Sequence, residues 1–320
     1  MSPRLTPFAV FENGRKVLYL QVLKALYSML QAVLLWYKKF RSDLESIGYV
    51  FNPCDPCVAN KMIKGKQHTI CFHVDYIMAS HVSRLVNNQF AEWLNSMHGH
   101  YGKVKQTHGD FHHYLAMHFD FSHRDQVRIQ MKDYVESMLN DFPFQFTPED
   151  SVPTPAPMDL HTTGSSPKLP LKEAQTFHTF VAKALFHCKW AHQNIQLAVS
   201  TLCTWVKDPD QDDWPKLLRR MVFLSETRDD ELILSGDRVD IIRWFVGTTF
   251  AVHPDFKSHT AGAMTLGCSC ILNGSRKQWL NTHSSREVKL VGADDMSPLI
   301  FWTKLFMGAQ GYEIKHSVLY

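Results

Sequence analysis

Asp75 is the residue best suited to metal-dependent chemistry in this sequence. It lies in the stretch Ile70–Ser80, I-C-F-H-V-D-Y-I-M-A-S, where apolar residues flank an Asp75-Tyr76 pair. This pattern predicts two short strands joined by a tight turn. A carboxylate at the tip of a rigid hairpin can serve as a metal ligand. For this stretch taken alone an ordinary hairpin is the favoured explanation, because aspartate is a favoured turn residue.

The composition predicts an intracellular globular protein. The chain has 320 residues, of which 45% are hydrophobic and 20% charged, and a net charge of +3. The length predicts about two domains, and the charge is too small to indicate nucleic-acid binding by itself. Seven scattered cysteines favour a reducing compartment over a disulfide framework. Because we find no apolar run typical of a signal peptide or membrane span, we expect a cytoplasmic or nuclear location and no membrane partner.

The periodicity predicts a mixed fold, α+β or α/β. A turn at Asn13-Gly14 precedes a strand, and a long amphipathic helix is predicted at Val22–Ile47, with Gly48 as its C-cap. Further helices are predicted at Val82–Met97, Asp133–Phe142, Ala174–Trp190, Ile195–Val206, Trp214–Ser225 and Ser285–Gln310. Further strands are predicted near Val58–Met62, Phe111–Phe121, Gln126–Met131, Leu232–Leu234, Ile241–Thr248 and Ala261–Leu272. The segment Ser151–Pro170 holds five prolines without periodicity, which indicates a linker.

A series of motifs runs along the chain in a fixed order. The motifs are K-A-L-Y-S-M-L-Q-A-V-L-L-W-Y at Lys24–Tyr37, D-P-C-V at Asp55–Val58, H-V-D-Y at His73–Tyr76, Y-L-A-M at Tyr114–Met117, T-P at Thr154-Pro155, F-V-A-K-A-L-F at Phe180–Phe186, W-P-K-L-L-R-R at Trp214–Arg220, E-T-R-D at Glu226–Asp229 and S-S-R-E-V-K-L-V-G at Ser284–Gly292. In this order they resemble the reverse transcriptase–RNase H segment of copia-type LTR retrotransposon polyproteins. The resemblance extends from about Phe11 to Tyr320.

The resemblance implies an order of domains. We expect a partial reverse transcriptase palm and thumb over residues 1–150, followed by a Pro/Ser-rich linker over 151–175. A helical connection region over 176–235 and a truncated RNase H-like domain over 236–320 complete the prediction. The family is an RNA-directed DNA polymerase with RNase H activity, so the implied partner is an RNA/DNA template–primer and the implied cofactor is Mg²⁺.

The polymerase metal site is predicted to be incomplete. Nucleotidyl transfer requires two divalent metals held by convergent carboxylates, and the resemblance implies one aspartate on an earlier strand and two on the hairpin. No aspartate precedes Phe11, so we expect the first ligand to be absent. Asp75 matches the first hairpin aspartate, but Tyr76 replaces the second. A neutral phenol is a poor ligand for Mg²⁺. We therefore predict that Asp75 is a remnant ligand and that the chain lacks polymerase activity.

The acidic site of the RNase H-like domain is also predicted to be incomplete. Gly247 stands where the family carries its first aspartate, and Glu287 matches the acid of the helix. The next aspartate of the family has no counterpart before Tyr320. Asp255, Asp294 and Asp295 match no catalytic position. The resemblance therefore implies a truncated, degenerate copy in which Glu287 is a remnant acid, and any metal binding by Asp75 or Glu287 is expected to be unproductive.

Three alternatives use other residues. A zinc site is suggested by Cys54-x-x-Cys57 with His68, Cys71 and His73, but D-P-C-V already accounts for Cys57. A second histidine cluster comprises His108, His112, His113 and His118. Of these, His112 and His118 could share a strand face, and without a nearby acidic or cysteine partner a structural role is favoured. The non-enzymatic alternative is a residual module that binds an RNA/DNA duplex without catalysis.

Overall fold

The computed structural model describes residues 8–19, 29–97, 102–147 and 149–320. The chain divides into two compact units, and each is described by itself. One comprises Met1–Phe51 and Pro56–Asn87, and the other comprises Asn52–Asp55 and Asn88–Tyr320. The predicted mixed α/β class is confirmed, since both units combine helices with β-sheets. The predicted domain limits of 150, 175 and 235 stay predictions.

The first unit contains a two-stranded hairpin, one helix and a four-stranded sheet. Its elements are β1 (Ala9–Glu12), β2 (Arg15–Leu18), α1 (Leu30–Ser46), β3 (Val50–Asn52), β4 (Asp55–Ile63), β5 (Lys66–His73) and β6 (Tyr76–Ser80). The larger sheet has the order β3-β4-β5-β6. Phe40 of α1 packs edge-on against Phe72 of β5, with ring centroids 4.9 Å apart. Both rings are buried, so helix and sheet share this apolar contact.

The long helix predicted at Val22–Ile47 is confirmed where the structure describes it. α1 begins at Leu30, and residues 20–28 lie outside the described part of the chain. Gly48 ends the helix with a φ of +86°, and its N–H donates to the carbonyl of Glu45. A left-handed residue at this position favours glycine, as predicted.

The second unit contains a further four-stranded sheet in the order β10-β9-β8-β7. Its strands are β7 (Phe111–Tyr114), β8 (Met117–Asp120), β9 (Val127–Gln130) and β10 (Leu232–Leu234). The single strand predicted at Phe111–Phe121 is wrong, because Leu115 and Ala116 adopt φ of +50° and +63° and form a tight turn. Neither residue is typical of that turn, so local residue types do not predict it.

Helices form the largest core of the second unit. They are α2 (Arg84–Ser96), of which the part from Asn88 belongs here, α3 (Lys132–Asp141), α4 (Leu171–Trp190), α5 (Gln196–Cys203) and α6 (Asp213–Glu226). Buried residues of α3, α4, α5 and α6 form one apolar cluster that includes Met138, Phe177 and Leu217. Residues 151–170 contain no helix or strand beyond one isolated bridge between Lys168 and Asp210. α4 starts at Leu171, four residues before the predicted end of the linker at residue 175.

The last part of the chain folds into a mixed sheet covered by one long helix. Its elements are β11 (Ile241–Thr249), β12 (His259–Thr265), β13 (Cys270–Lys277), α7 (Ser285–Ala309) and β14 (His316–Leu319). The strand predicted at Ala261–Leu272 is two antiparallel strands with a bend between them. β14, which the sequence did not predict, pairs parallel with β11. Trp244, Met264 and Met296 lie in the apolar core that joins the sheet to α7.

Candidate functional site

Asp75 lies at the tip of the hairpin formed by β5 and β6. The register pairs His73 with Tyr76, so Val74 and Asp75 form the turn. The hairpin is confirmed, but the predicted position of the turn is wrong by one residue, because Tyr76 is the first residue of β6. Val74 has a φ of +53°, which such a two-residue turn requires. Asp75 and Tyr76 are both exposed, and the tyrosine retains 54% of its accessible surface.

The side chain next to Asp75 in sequence has no carboxylate. Tyr76 presents a phenol instead, and divalent cations such as Mg²⁺ prefer carboxylate oxygens. Among the described residues, no group of three histidine, cysteine, aspartate or glutamate side chains is arranged to hold a metal ion. The hairpin therefore places one exposed carboxylate at its tip, and the described residues provide no set of convergent ligands around it.

Glu287 caps the helix on which it lies. The Oγ of Ser284, the N-cap of α7, accepts a hydrogen bond of 3.3 Å from the N–H of Glu287. The carboxylate of Glu287 in turn accepts a 2.6 Å hydrogen bond from the N–H of His283. This arrangement is close to a capping box, in which a serine and a glutamate three residues later satisfy free N–H groups of the first turn. Helix capping thus explains an acid at this position without a metal.

The other acids of this region have structural partners. Asp255 forms an ion pair of 2.7 Å with Lys277, and Asp295 accepts a 2.7 Å hydrogen bond from the hydroxyl of Thr260. Asp294 is exposed on α7. Gly247 lies on β11, where an added Cβ would meet no atom within 4 Å. Packing therefore does not require a glycine at the position where the resemblance implies an aspartate.

His68, one residue of the alternative zinc set, has an ordinary structural role in the first unit. His68 is fully buried on β5 and hydrogen-bonds through Nδ1 to the hydroxyl of Tyr49 at 2.5 Å. Burial lowers the pKa of His68 to about 4, so the ring is neutral at pH 7. A neutral histidine held by a tyrosine is a core residue, and no other member of the proposed set is needed to explain it.

The second histidine cluster is arranged differently from the prediction. His113 and His118 are directly opposite across β7 and β8, with ring centroids 4.0 Å apart, whereas His112 is opposite Phe119. The predicted shared face of His112 and His118 is therefore wrong. The predicted lack of an acidic partner is also wrong, because Nε2 of His118 lies 3.0 Å from the carboxylate of Asp133.

Comparisons with known proteins give two informative matches, while no protein family model matches the chain. The retrovirus-related Pol polyprotein from transposon TNT 1-94 of Nicotiana tabacum is 22% identical over an alignment of 322 residues. The alignment covers 96% of this chain and 23% of the relative, so the chain spans about a quarter of that protein. The predicted resemblance to retrotransposon Pol polyproteins is confirmed.

The fold agrees with that of a viral reverse transcriptase. A structure of the foamy viral protease-reverse transcriptase in complex with an RNA/DNA hybrid superimposes with a TM-score of 0.52 at 11% sequence identity. The match covers 94% of this chain and 34% of the viral chain. This chain therefore has a fold similar to that of a viral reverse transcriptase along almost its whole length.

A group of three histidines in the second unit, two of them buried, was not predicted from the sequence. Nε2 of His253 lies 3.0 Å from Nδ1 of His259, and the ring of His161 lies 4.9 Å from that of His253. Nε2 of His259 hydrogen-bonds at 2.7 Å to the hydroxyl of Ser275. Burial lowers the pKa of all three histidines, to about 4 for His253 and about 3 for His259. The wide spacing of these histidines in sequence gave no motif by which to find them.

A cavity of about 900 Å³ lies in the second unit, over one face of the last sheet. Small residues such as Gly247, Ala261 and Ala263 form part of its wall, together with the stacked rings of Phe245 and Tyr320. Neither Asp75 nor Glu287 lines it.

Among the described residues, no helix has the length and apolar character that crossing a membrane requires.

Proposed function

We propose that this chain is a reverse transcriptase–RNase H-like segment of a copia-type retrotransposon polyprotein that lacks both catalytic activities. Three findings support the proposal: the ordered motifs, the match to a transposon Pol polyprotein and the fold similar to a viral reverse transcriptase. In this proposal the β3–β6 sheet belongs to the palm, and the mixed sheet with α7 is the RNase H-like domain. Helices α4, α5 and α6 belong to the connection region.

The single observation that carries the loss of polymerase activity is the residue after Asp75. Two metal ions must stabilise both the attacking and the leaving oxygen during nucleotidyl transfer, and carboxylates must neutralise their charge. Tyr76 occupies the position of the second hairpin aspartate and supplies a phenol in place of the carboxylate oxygens that Mg²⁺ prefers. Asp75 alone can attract Mg²⁺ weakly but does not provide a two-metal site at this hairpin.

The RNase H activity is proposed to be lost for a parallel reason. Gly247 replaces the first aspartate on β11, although the space around it would accept a larger side chain. Glu287 is held by the backbone of His283, as helix capping requires. Mg²⁺ binding at these positions would therefore be unproductive.

A second candidate function is binding of an RNA/DNA duplex without catalysis. The viral protein with the similar fold was solved in complex with an RNA/DNA hybrid, which favours this possibility here. Lysine and arginine contacts to phosphates release counterions, so the logarithm of the affinity falls linearly with the logarithm of the salt concentration. Primer extension tests the first candidate, and the salt dependence of hybrid binding tests the second.

A further inference from the structure

Three buried side chains in the second unit carry nitrogen atoms without hydrogen-bond partners. Arg220 of α6 is 0% exposed, while His187 of α4 and His192, just after α4, are 2% and 5% exposed. The atoms without partners are Nε and Nη2 of Arg220, Nδ1 of His187 and Nε2 of His192. The two histidine rings lie 5.0 Å apart. Such a concentration of unsatisfied nitrogens is unusual in a protein core.

The charge of Arg220 has no anionic partner among its neighbours in the described structure. Its one hydrogen bond runs from Nη1 to the sulfur of Met221 at 3.4 Å, and a thioether is a weak acceptor. Burial lowers the pKa of Arg220 to about 10, so it remains protonated at neutral pH. Burial also raises the pKa values of the neighbouring Tyr134, Cys188 and Cys203, so these groups are neutral and supply no negative charge.

His187 and His192 are neutral at pH 7, so each ring can donate one hydrogen bond. Burial lowers the pKa of His187 to about 2 and that of His192 to about 4, with repulsion from Arg220 contributing to both shifts. Each neutral ring keeps one N–H donor, whose position the tautomer can set. The carboxylate of Asp230, which is exposed, raises the pKa of His192 against this trend. Apart from the exposed carboxylate of Asp230, the cluster therefore offers donors and one positive charge, without an acceptor of opposite charge.

We propose that Arg220, His187 and His192 form an internal binding site for a small monoanion, of which chloride is the simplest example. An unpaired buried cation is costly, and a bound anion would offset this cost and accept hydrogen bonds from the orphan nitrogens. A monoanion matches the single permanent charge of the cluster, whereas a phosphate would bring excess negative charge. His192 also lines the cavity of about 900 Å³.

Thermal unfolding in different salts tests this site. Replacing sodium gluconate with sodium chloride at equal ionic strength is expected to raise the Tm by about 2 °C or more, because an anion that binds only the folded state stabilises it. The variant Arg220→Met is expected to lose this shift. The matched control Arg219→Met, which changes the neighbouring arginine that contacts Thr154, is expected to retain it. Equal Tm values of the unaltered protein in the two salts would overturn the proposal.

Bromide provides a second test that does not depend on the folding of a variant. A crystal of the full chain grown with bromide is expected to show an anomalous peak within hydrogen-bond distance of the Arg220 guanidinium. A water molecule there, without anomalous signal, would show that solvent satisfies these nitrogens and would refute the anion site. Neither measurement depends on polymerase or RNase H activity.

Discussion

The carboxylate of Glu287 accepts a 2.6 Å hydrogen bond from the backbone N–H of His283 and so closes the first turn of α7. We therefore expect Glu287→Ala to lower the free energy of unfolding by about 1 kcal/mol, the usual contribution of one such hydrogen bond. Glu287→Gln is expected to lose less, because an amide oxygen can accept the same bond. Urea unfolding followed by circular dichroism measures both changes. Equal stability of all three proteins would show that the acid does not cap the helix.

Gly292 lies where α7 meets the last sheet. An added Cβ would lie 2.3 Å from Cγ2 of Thr248, so Gly292→Ala is expected to lower the free energy of unfolding by about 1–3 kcal/mol through overpacking. Gly308 is the matched control on the same helix, because an added Cβ there meets no atom within 4 Å. Gly308→Ala is expected to raise stability by up to about 1 kcal/mol, since alanine favours helix. A neutral Gly292→Ala would contradict this packing of α7 on β11.

The buried pair His253 and His259 predicts loss of stability in mild acid. The unfolded chain protonates these rings near their ordinary pKa of 6.5, whereas burial keeps them neutral in the folded protein down to pKa values of about 4 and about 3. Between pH 6.5 and about 4 the unfolded state therefore binds more protons, so the free energy of unfolding falls as the pH falls. Each group contributes up to about 1.4 kcal/mol per pH unit in this window.

Urea unfolding at a series of pH values measures this effect. His259→Gln is expected to reduce the pH dependence, whereas His113→Gln, a change of an exposed histidine, is expected to leave it intact. A stability that stays constant from pH 6.5 to 4 would refute the assignment of neutral buried histidines.

Binding of an RNA/DNA hybrid is expected to depend strongly on salt. Each phosphate contact contributes a slope of roughly −0.7 to −0.9 in a plot of the logarithm of the affinity against the logarithm of the salt concentration. Fluorescence anisotropy with a labelled hybrid measures this slope. Asp75→Asn serves as a control and should bind no more weakly than the unaltered protein, because Asp75 is proposed to contribute no productive metal site. Absent or salt-insensitive binding would refute the proposal that the chain binds an RNA/DNA duplex.

Elements with a strong local signal could be predicted from the sequence. The hairpin of β5 and β6 follows from alternating apolar residues around an aspartate, and the end of α1 follows from Gly48. The turn at Leu115 and Ala116 could not be predicted, because its positive φ angles occur at residues that rarely adopt them. β14 is four residues long and mostly exposed, so only its pairing with β11 defines it.

The buried polar groups were the least predictable part of the molecule. Arg220 follows Arg219 on an amphipathic helix, and such a pair in sequence usually indicates a solvated face. The structure buries Arg220 completely while Arg219 contacts Thr154 near the surface. Which of two adjacent arginines lies inside depends on tertiary packing around α6, and local periodicity does not contain that information.

Template-dependent primer extension in Mg²⁺ or Mn²⁺ tests directly whether this chain lacks polymerase activity. The protein used should be the full chain that binds the hybrid, so that a negative result reflects chemistry rather than misfolding. We expect no extension by the unaltered protein and none by Asp75→Asn, because Tyr76 leaves the hairpin with one carboxylate. Extension by the unaltered protein that Asp75→Asn abolishes would contradict it and would show that this hairpin still holds catalytic metal.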